Sequence, residues 1–300
     1  MPRPLAVLLL LLTAMIWGLA FTAQKSGMAT MGPLTFLGVR FLMGGILLLP
    51  LAFWEYGRRA APVTRRQRLL IALLAVVFFF GAWLQQAGLA LTTVTNGGFL
   101  TGLYVIFAPL IGLAFLRHKP HPIVWLCAPL TLVGIYFLNG GSLTRFNTGD
   151  VIVIVSALFW AVQIMLLSYL ARLTGLPVLI SALCFLVSGV IAAVGAASFE
   201  APTIAGIGAG WLPLLYTGIL STAVAFTFQA IGQQYVPPAN ATIILSAETL
   251  FAALGGALIL GERLPVIGYV GAILLFVAII LVEVVPALDR REPIPVTETS

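Results

Sequence analysis

One carboxylate, one phenol, two indoles and five amides interrupt the long apolar runs of this chain at positions where they could handle a solute. Glu248 is the sharpest of them. It stands eight residues beyond Asn240 in an apolar run, and eight helical residues rise roughly 12 Å. That places it near the middle of a hydrocarbon layer roughly 30 Å thick. An acid at that depth is expensive to hold. It is suited to binding a cationic group of a solute or to taking up and releasing a proton. The competing reading is a neutral or arginine-paired carboxyl that only locks helices together. Tyr104 lies 144 positions before Glu248 and would bring an aromatic face and a hydroxyl to the opposite wall of the same site; its competing role is a bond to a backbone carbonyl at a helix crossing.

Trp17 recurs at helical spacing with Thr13, Ala20 and Gln24, and Trp160 with Ser156 and Gln163. Each set forms one mildly polar stripe on an otherwise apolar helix. The indoles could pack an organic solute, or the stripes could serve helix packing alone. Gln85, Gln229, Asn96 and Asn240 could give uncharged hydrogen bonds to a solute, although such amides also join helices in lipid. Arg40 sits roughly 10 Å inside its span by the same helical rise. A structural ion pair or carbonyl contact is expected for it rather than solute binding. Glu248 is a possible partner, although the two depths differ by roughly 8 Å.

Other chemistries lack their residues. His118 and His121 form an HxxH sequence around Lys119 and Pro120 in a short loop, with no Glu to complete a zinc hydrolase motif. No GxxxxGK[ST] loop occurs, so ATP coupling within the chain is not expected. Asp150 and Asp289 fall at span ends, and neither His is inside a span, which leaves an intramembrane enzyme without a constellation. Cys127 and Cys184 each sit in an apolar run and read as small buried hydrophobes. No metal and no cofactor is expected.

The elements that must position these groups follow from composition. Of 300 residues 61% are hydrophobic and 8% charged, against about 25% charged in a soluble domain. Most of the surface must therefore meet something other than water. Runs this apolar are helices rather than the half-polar strands of a barrel. The expected spans are 5–25, 33–53, 69–91, 97–116, 122–139, 150–170, 176–197, 211–233, 240–260 and 266–285. The first could pass for a signal peptide, but its run continues to Gln24 and has a counterpart later, so it reads as retained.

The net charge of +6 reflects topology rather than a nucleic-acid partner. With the N-terminus in the cytoplasm, Arg3, Arg58, Arg59, Arg65, Arg66, Arg68, Arg117, Lys119, Arg172, Arg290 and Arg291 all lie on the cytoplasmic side. Lys25, Arg145 and Arg263 lie opposite. This asymmetry places both termini inside, and the arginines at 58–68 would touch anionic lipid headgroups.

The chain also repeats. A shift of 144 lays Pro33 on Pro177, Phe41 on Phe185, Gly45 on Gly189, Gln85 on Gln229, Gly88 on Gly232 and Asn96 on Asn240. A shift of 143 lays Trp17 on Trp160. Five spans per repeat is an odd number, so the second half would enter the membrane from the opposite face, a design used by transporters. The expected fold is an all-α integral membrane protein of ten transmembrane helices in two inverted five-helix repeats. The repeats occupy 1–141 and 142–285, and 286–300 form a flexible cytoplasmic tail.

Trp17-Gly18, Lys25, Pro33 and Arg40-Phe41 in the first half, with Gly149-Asp150, Ser156-Ala157, Trp160-Ala161 and Tyr216-Thr217-Gly218 in the second, set a pattern over nearly the whole chain. Ser221-Thr222, Ala225-Phe226, Glu248, Phe251-Ala252-Ala253 and Leu260-Gly261-Glu262 complete it. In this order and spacing the chain resembles the drug/metabolite transporter superfamily, in its EamA-type, ten-span branch. The resemblance implies export or exchange of metabolites through a central cavity lined by the first, third and fourth helices of each repeat. One departure is Thr249, where the family often has Pro, so a helix break there is not assured.

The expected protein is thus a secondary transporter of small organic metabolites, such as amino acids or amphiphilic compounds, in the inner cell membrane. Its partners would be a small-molecule substrate and the lipid bilayer. A nucleotide-sugar or sugar-phosphate exchanger ranks second, because only Arg40 and Lys25 offer positive charge near the path. A structural or sensory membrane protein is the remaining alternative.

Overall fold

A computed structural model describes residues 1–58, 62–116, 120–141, 147–259 and 265–289. The readings made for Arg59, Arg117, His118, Lys119, Arg145, Leu260, Gly261, Glu262, Arg263, Arg290 and Arg291 fall outside the described residues, as does the tail from 290 onward. Among the described residues every regular element is helical: α1 (Arg3–Gly27), α2 (Pro33–Gly57), α3 (Arg65–Leu91), α4 (Val94–Thr101), α5 (Tyr104–Leu116), α6 (Ile123–Leu138), α7 (Thr148–Thr174) and α8 (Pro177–Phe199). Two short helices, α9 (Ile204–Ala209) and α10 (Trp211–Leu215), lead into a π-helical segment, Tyr216–Phe226, continued by α11 (Thr227–Gly232). The chain then forms α12 (Pro238–Leu245), α13 (Ala247–Ile259) and α14 (Val266–Asp289).

The sequence sets these boundaries. Pro33, Pro177 and Pro238 open α2, α8 and α12, where the missing N–H of proline has no helical partner to lose. Thr64 with Gln67 and Asn147 with Asp150 close capping boxes at α3 and α7. Gly175, at φ +68°, ends α7. α14 runs through Pro286 to Asp289, past the boundary expected for the tail at 286. Proline there cannot donate to the carbonyl of Val282; the Asn240 amide donates to that oxygen instead, at 2.8 Å.

Among the described residues, eight helices are long and apolar enough to cross a membrane. The segments corresponding to the fifth and ninth expected spans, Ile123–Leu138 and Pro238–Leu254, are shorter apolar helices within the described residues. The chain is a multi-pass membrane protein.

The main packing pairs are α2 with α8, α3 with α7, α6 with α14, and α1 with α13 and the π-helical segment. Glycine permits the close approaches, and the contacts are reciprocal. A Cβ on Gly45 would lie 2.8 Å from Leu186, and one on Gly189 would lie 2.9 Å from Leu42. A Cβ on Gly88 would meet the carbonyl of Gly149 at 2.8 Å, and one on Gly232 the carbonyl of Ala6 at 3.1 Å. Phe41 stacks on Phe185 with ring centroids 6.1 Å apart.

Polar caps at helix ends follow the same exchange. Glu200 accepts from the backbone N–H groups of Leu34 and Thr35 at the start of α2, at 2.8 and 2.7 Å. Glu55 accepts from Val178 and Leu179 at the start of α8, at 3.3 and 2.8 Å. Lys25 donates to the carbonyls of Leu89, Ala90 and Thr92 at the end of α3. Arg172 donates to those of Gln233 and Val236 just past α11. Lys25 and Arg172 thus each satisfy backbone groups that a helix end leaves open, beyond any part they take in topology. Glu200→Ala is expected to cost about 1 kcal/mol, the usual value of a helix cap; thermal unfolding of the purified protein measures it, and an unchanged midpoint contradicts it.

Candidate functional site

The site is built on two interrupted helices. Between α4 and α5, Gly102 takes φ −55° and ψ −15°, and Val105 and Ile106 bond three residues back, to Gly102 and Leu103. Between α12 and α13, Ser246 takes φ −60° and ψ −13°, and the N–H of Thr249 bonds to its carbonyl at 3.2 Å. Both helices tighten into a 3₁₀ turn at positions 144 apart. Proline is not required, since the Thr249 hydroxyl also donates to the Ser246 carbonyl, at 2.9 Å. The interruption comes just before the residues of interest: Tyr104 begins α5, and Glu248 is the second residue of α13.

Tyr104 and Glu248 meet. The phenol donates to Oε1 of Glu248 at 3.3 Å, and both residues are 4% exposed. Gly18 lets α1 approach at this turn, since a Cβ there would lie 2.5 Å from the Glu248 carbonyl oxygen and 2.8 Å from the Ala252 nitrogen. Around the pair opens a cavity. From α1 it takes Trp17, Ala20, Phe21 and Gln24; from α3, Gln85; and from the α4–α5 turn, Thr101 and Tyr104. From α7 come Trp160, Gln163 and Ile164; from the π-helical segment and α11, Ser221, Phe226 and Gln229; from α13, Glu248. All the helices named by the family resemblance contribute, and α2 adds Arg40. The space open to water is about 50 Å³, enough for a few water molecules, so an organic solute requires it to widen.

The amides of the lining are only partly satisfied. Gln85 donates to Thr101 at 3.1 Å, and Gln229 to Gln163 at 3.5 Å. The side-chain carbonyls of Gln24 and Gln229 and the indole N–H of Trp160 are shielded without a hydrogen-bond partner. Trp17 is different: its indole donates to the carbonyl of Ser221 at 3.1 Å. Thr13 donates to the carbonyl of Ala225 at 3.0 Å, and Tyr216 to that of Ile16 at 2.7 Å. These three bonds fasten α1 to the π-helical segment, a backbone form often found at functional sites. Trp17, Trp160, Phe78 and Phe226 pack as one aromatic group beside the cavity, with centroids of Trp17 and Phe226 4.5 Å apart. Phe226 and Ser221 lie on the pattern of the resemblance, but their place in the lining is not marked by polarity or spacing.

Several candidates are placed elsewhere. Asn96 and Asn240 are not among the residues lining the cavity. Asn96 donates to Asp150 at 3.1 Å beside Thr92, tying α4 to α7, and Asn240 serves α14 as described. Thr13 and Ser156, read on the polar stripes, bond to backbone carbonyls instead. The ion pair considered for Arg40 and Glu248 is not formed; among the described residues the one acid–base contact is Arg3 with Glu283, at 2.9 Å. His121 accepts from the backbone of Ile123 at 3.3 Å. Cys127 and Cys184 are buried and unpaired. Among the described residues no group of three or more His, Cys, Asp or Glu could hold a metal ion.

A bundle of apolar helices around a small, aromatic-walled cavity with a few polar groups is an arrangement that suits a membrane transporter. The model of the EamA-like transporter family matches residues 4–140 and again 147–284, and the chain belongs to that family. It is 32% identical over 278 residues to an uncharacterized transporter of Archaeoglobus fulgidus, covering 91% of this chain and 84% of that one. It is 27% identical over 290 residues to YedA, an uncharacterized inner membrane transporter of Escherichia coli K12, covering 93% and 90%. A crystal structure 17% identical in sequence superposes with a TM-score of 0.79 over 97% of this chain and all of the other, a likeness of fold alone.

Proposed function

We propose that the chain is a secondary transporter, an exporter or exchanger of small organic metabolites such as amino acids or amphiphilic compounds, working by alternating access around the cavity at Glu248 and Tyr104. The observation that carries this reading is the meeting of these two residues, 144 positions apart, in one polar cavity at matching helix interruptions. The reciprocal contacts of Gly45 with Leu186 and Gly189 with Leu42 are those of a two-fold axis, where position i meets j and j meets i. With five spans in each half, 1–141 and 142–285, the axis lies in the membrane plane and the repeats are inverted. The twofold match of the family model supports this division. Two inverted halves can exchange conformations, which opens the cavity first to one face and then to the other.

The location follows the same reasoning: the inner membrane, as in the name of YedA, with both termini cytoplasmic by the arginine asymmetry. Transport fits the lining better than catalysis does, since among the described residues the lining holds one acid, no histidine and no paired carboxylates. A nucleotide-sugar or sugar-phosphate exchanger is less favoured, because among the described residues Arg40 is the one cation in the lining.

Purified protein in proteoliposomes, screened against labelled metabolites with and without an imposed pH gradient, tests the reading. Saturable counterflow of at least one solute is expected. If nothing in a broad panel moves saturably, a structural or sensory role replaces transport. Tyr104→Phe is expected to slow transport of that solute by roughly ten-fold, the low end for a hydrogen bond to a charged group (about 1.5–3 kcal/mol), since the bond is long at 3.3 Å. A complete loss would mean that the phenol does more than hold the carboxyl.

A further inference from the structure

Arg40 is a buried cation for which the described residues provide no anion. Its side chain reaches the cavity from α2 and is 3% exposed. No acid of the described residues lies within ion-pair distance, and its Nε is shielded without a hydrogen-bond partner. Its neighbours are aromatic: the guanidinium carbon is 4.7 Å from the ring centre of Phe41 and 5.6 Å from that of Phe36. Ring faces attract a cation but accept none of its directed N–H groups, so the donors remain unused.

Two other cations among the described residues, Lys25 and Arg172, are occupied. Lys25 is held by three backbone carbonyls and Arg172 by two. The cavity therefore presents one guanidinium and one carboxyl, Glu248, that do not bond to each other. A charge left unpaired in hydrocarbon is a steep cost, and a guanidinium offers parallel donors that fit a carboxylate side by side. A phosphate monoester fits less well, because its second negative charge would face Glu248 with no further cation to balance it.

We infer that Arg40 is the anchor for a carboxylate of the transported solute. The inference rests on the transport reading and narrows it: the solute carries a carboxylate, and where it also carries an amine that group is turned toward Glu248. Simple amines and phosphate esters are then poor ligands. Arg40 acts as a specificity-determining residue rather than as a helix lock.

Binding to the purified protein in nanodiscs tests this without depending on transport. The probes are matched series: amino acids of several side-chain types, their carboxamides, the corresponding amines and O-phosphoethanolamine, with inorganic phosphate as the ion alone. Wild-type protein is expected to bind at least one amino acid ten-fold or more tightly than its carboxamide, its amine or either phosphate compound. Arg40→Gln should remove the preference of acid over amide, and Arg40→Lys should keep part of it. Should Arg40→Gln fail to fold, the acid–amide ratio in the wild type and in Arg40→Lys decides. Equal binding of acid and amide, tighter binding of amine or phosphate, no carboxylate bound at all, or a preference that survives Arg40→Gln would each overturn the inference. If counterflow in proteoliposomes is present while the preference is missing, the transport reading stands and this one alone fails.

Discussion

Glu248→Gln is expected to lower solute transport by roughly ten- to a hundred-fold, because a hydrogen bond to a charged group is worth about 1.5–3 kcal/mol. Glutamine keeps the shape of the side chain and an oxygen to accept from the Tyr104 hydroxyl, which stands 3.3 Å from the carboxyl. It removes the charge and the exchangeable proton. The helix packing around position 248 should therefore survive, and yield, monodispersity and unfolding midpoint should match wild type. The readout is initial rate in proteoliposomes, with and without a pH gradient. A loss seen only when a gradient drives transport would assign the carboxyl to proton coupling; a loss in counterflow as well would assign it to the solute. An unchanged rate in both would leave Glu248 as a helix lock.

The second large effect is structural and lies at Gly18. A Cβ there would fall 2.5 Å from the backbone oxygen of Glu248, 2.8 Å from the nitrogen of Ala252 and 3.0 Å from Cβ of Phe251. Two of these three atoms are helix backbone and cannot turn aside, so α1 must move off α13. Overpacking of this kind costs about 1–3 kcal/mol, and here it also shifts the turn that carries the carboxyl. Gly18→Ala is expected to lower the unfolding midpoint and the transport rate together. Gly98→Ala is the control, since no atom lies within 4 Å of a Cβ at that position. If Gly18→Ala behaves like Gly98→Ala, the approach of α1 to α13 is looser than described and the site does not depend on it.

Much of this was legible from residue types because lipid punishes polarity so heavily that each polar residue inside a span has a reason to be there. Glu248, Tyr104, Trp17, Trp160, Gln85, Gln163 and Gln229 were all visible as interruptions, and all line the cavity. The same rule pointed also to Asn96 and Asn240, whose side chains bond to the protein away from the cavity lining. Polarity at depth says that a group needs a partner, but it does not say whether the partner is a solute or the protein. Asn96 has Asp150, and Asn240 has the carbonyl that Pro286 leaves open, a need that arises 46 residues away and only once α12 and α14 are packed. For Arg40 the expectation is a structural ion pair or a carbonyl contact; among the described residues no acid lies within ion-pair distance, and two aromatic rings face the guanidinium.

The helix interruptions were harder still. Proline is the sequence sign of a break, and Thr249 lacks it. The backbone tightens at Ser246 as it does at Gly102 because short hydrogen-bonding side chains and a glycine accept a three-residue turn without a ring to force it. The crossed caps of Glu55, Glu200, Lys25 and Arg172 had no local signature, since each serves a helix end far away in sequence. Arg172 and Lys25 were counted toward topology, a reading compatible with their capping, because a cation at a span end can do both.

The most direct test of alternating access uses a single cysteine at Ala20, a small cavity-lining residue, with Cys127 and Cys184 replaced by serine. Membrane-impermeant thiol reagents are applied to right-side-out and to inside-out vesicles. Alternating access predicts that Ala20→Cys is labelled from both faces, and that a transported solute slows labelling from each. Labelling from one face only, or from neither, would contradict it.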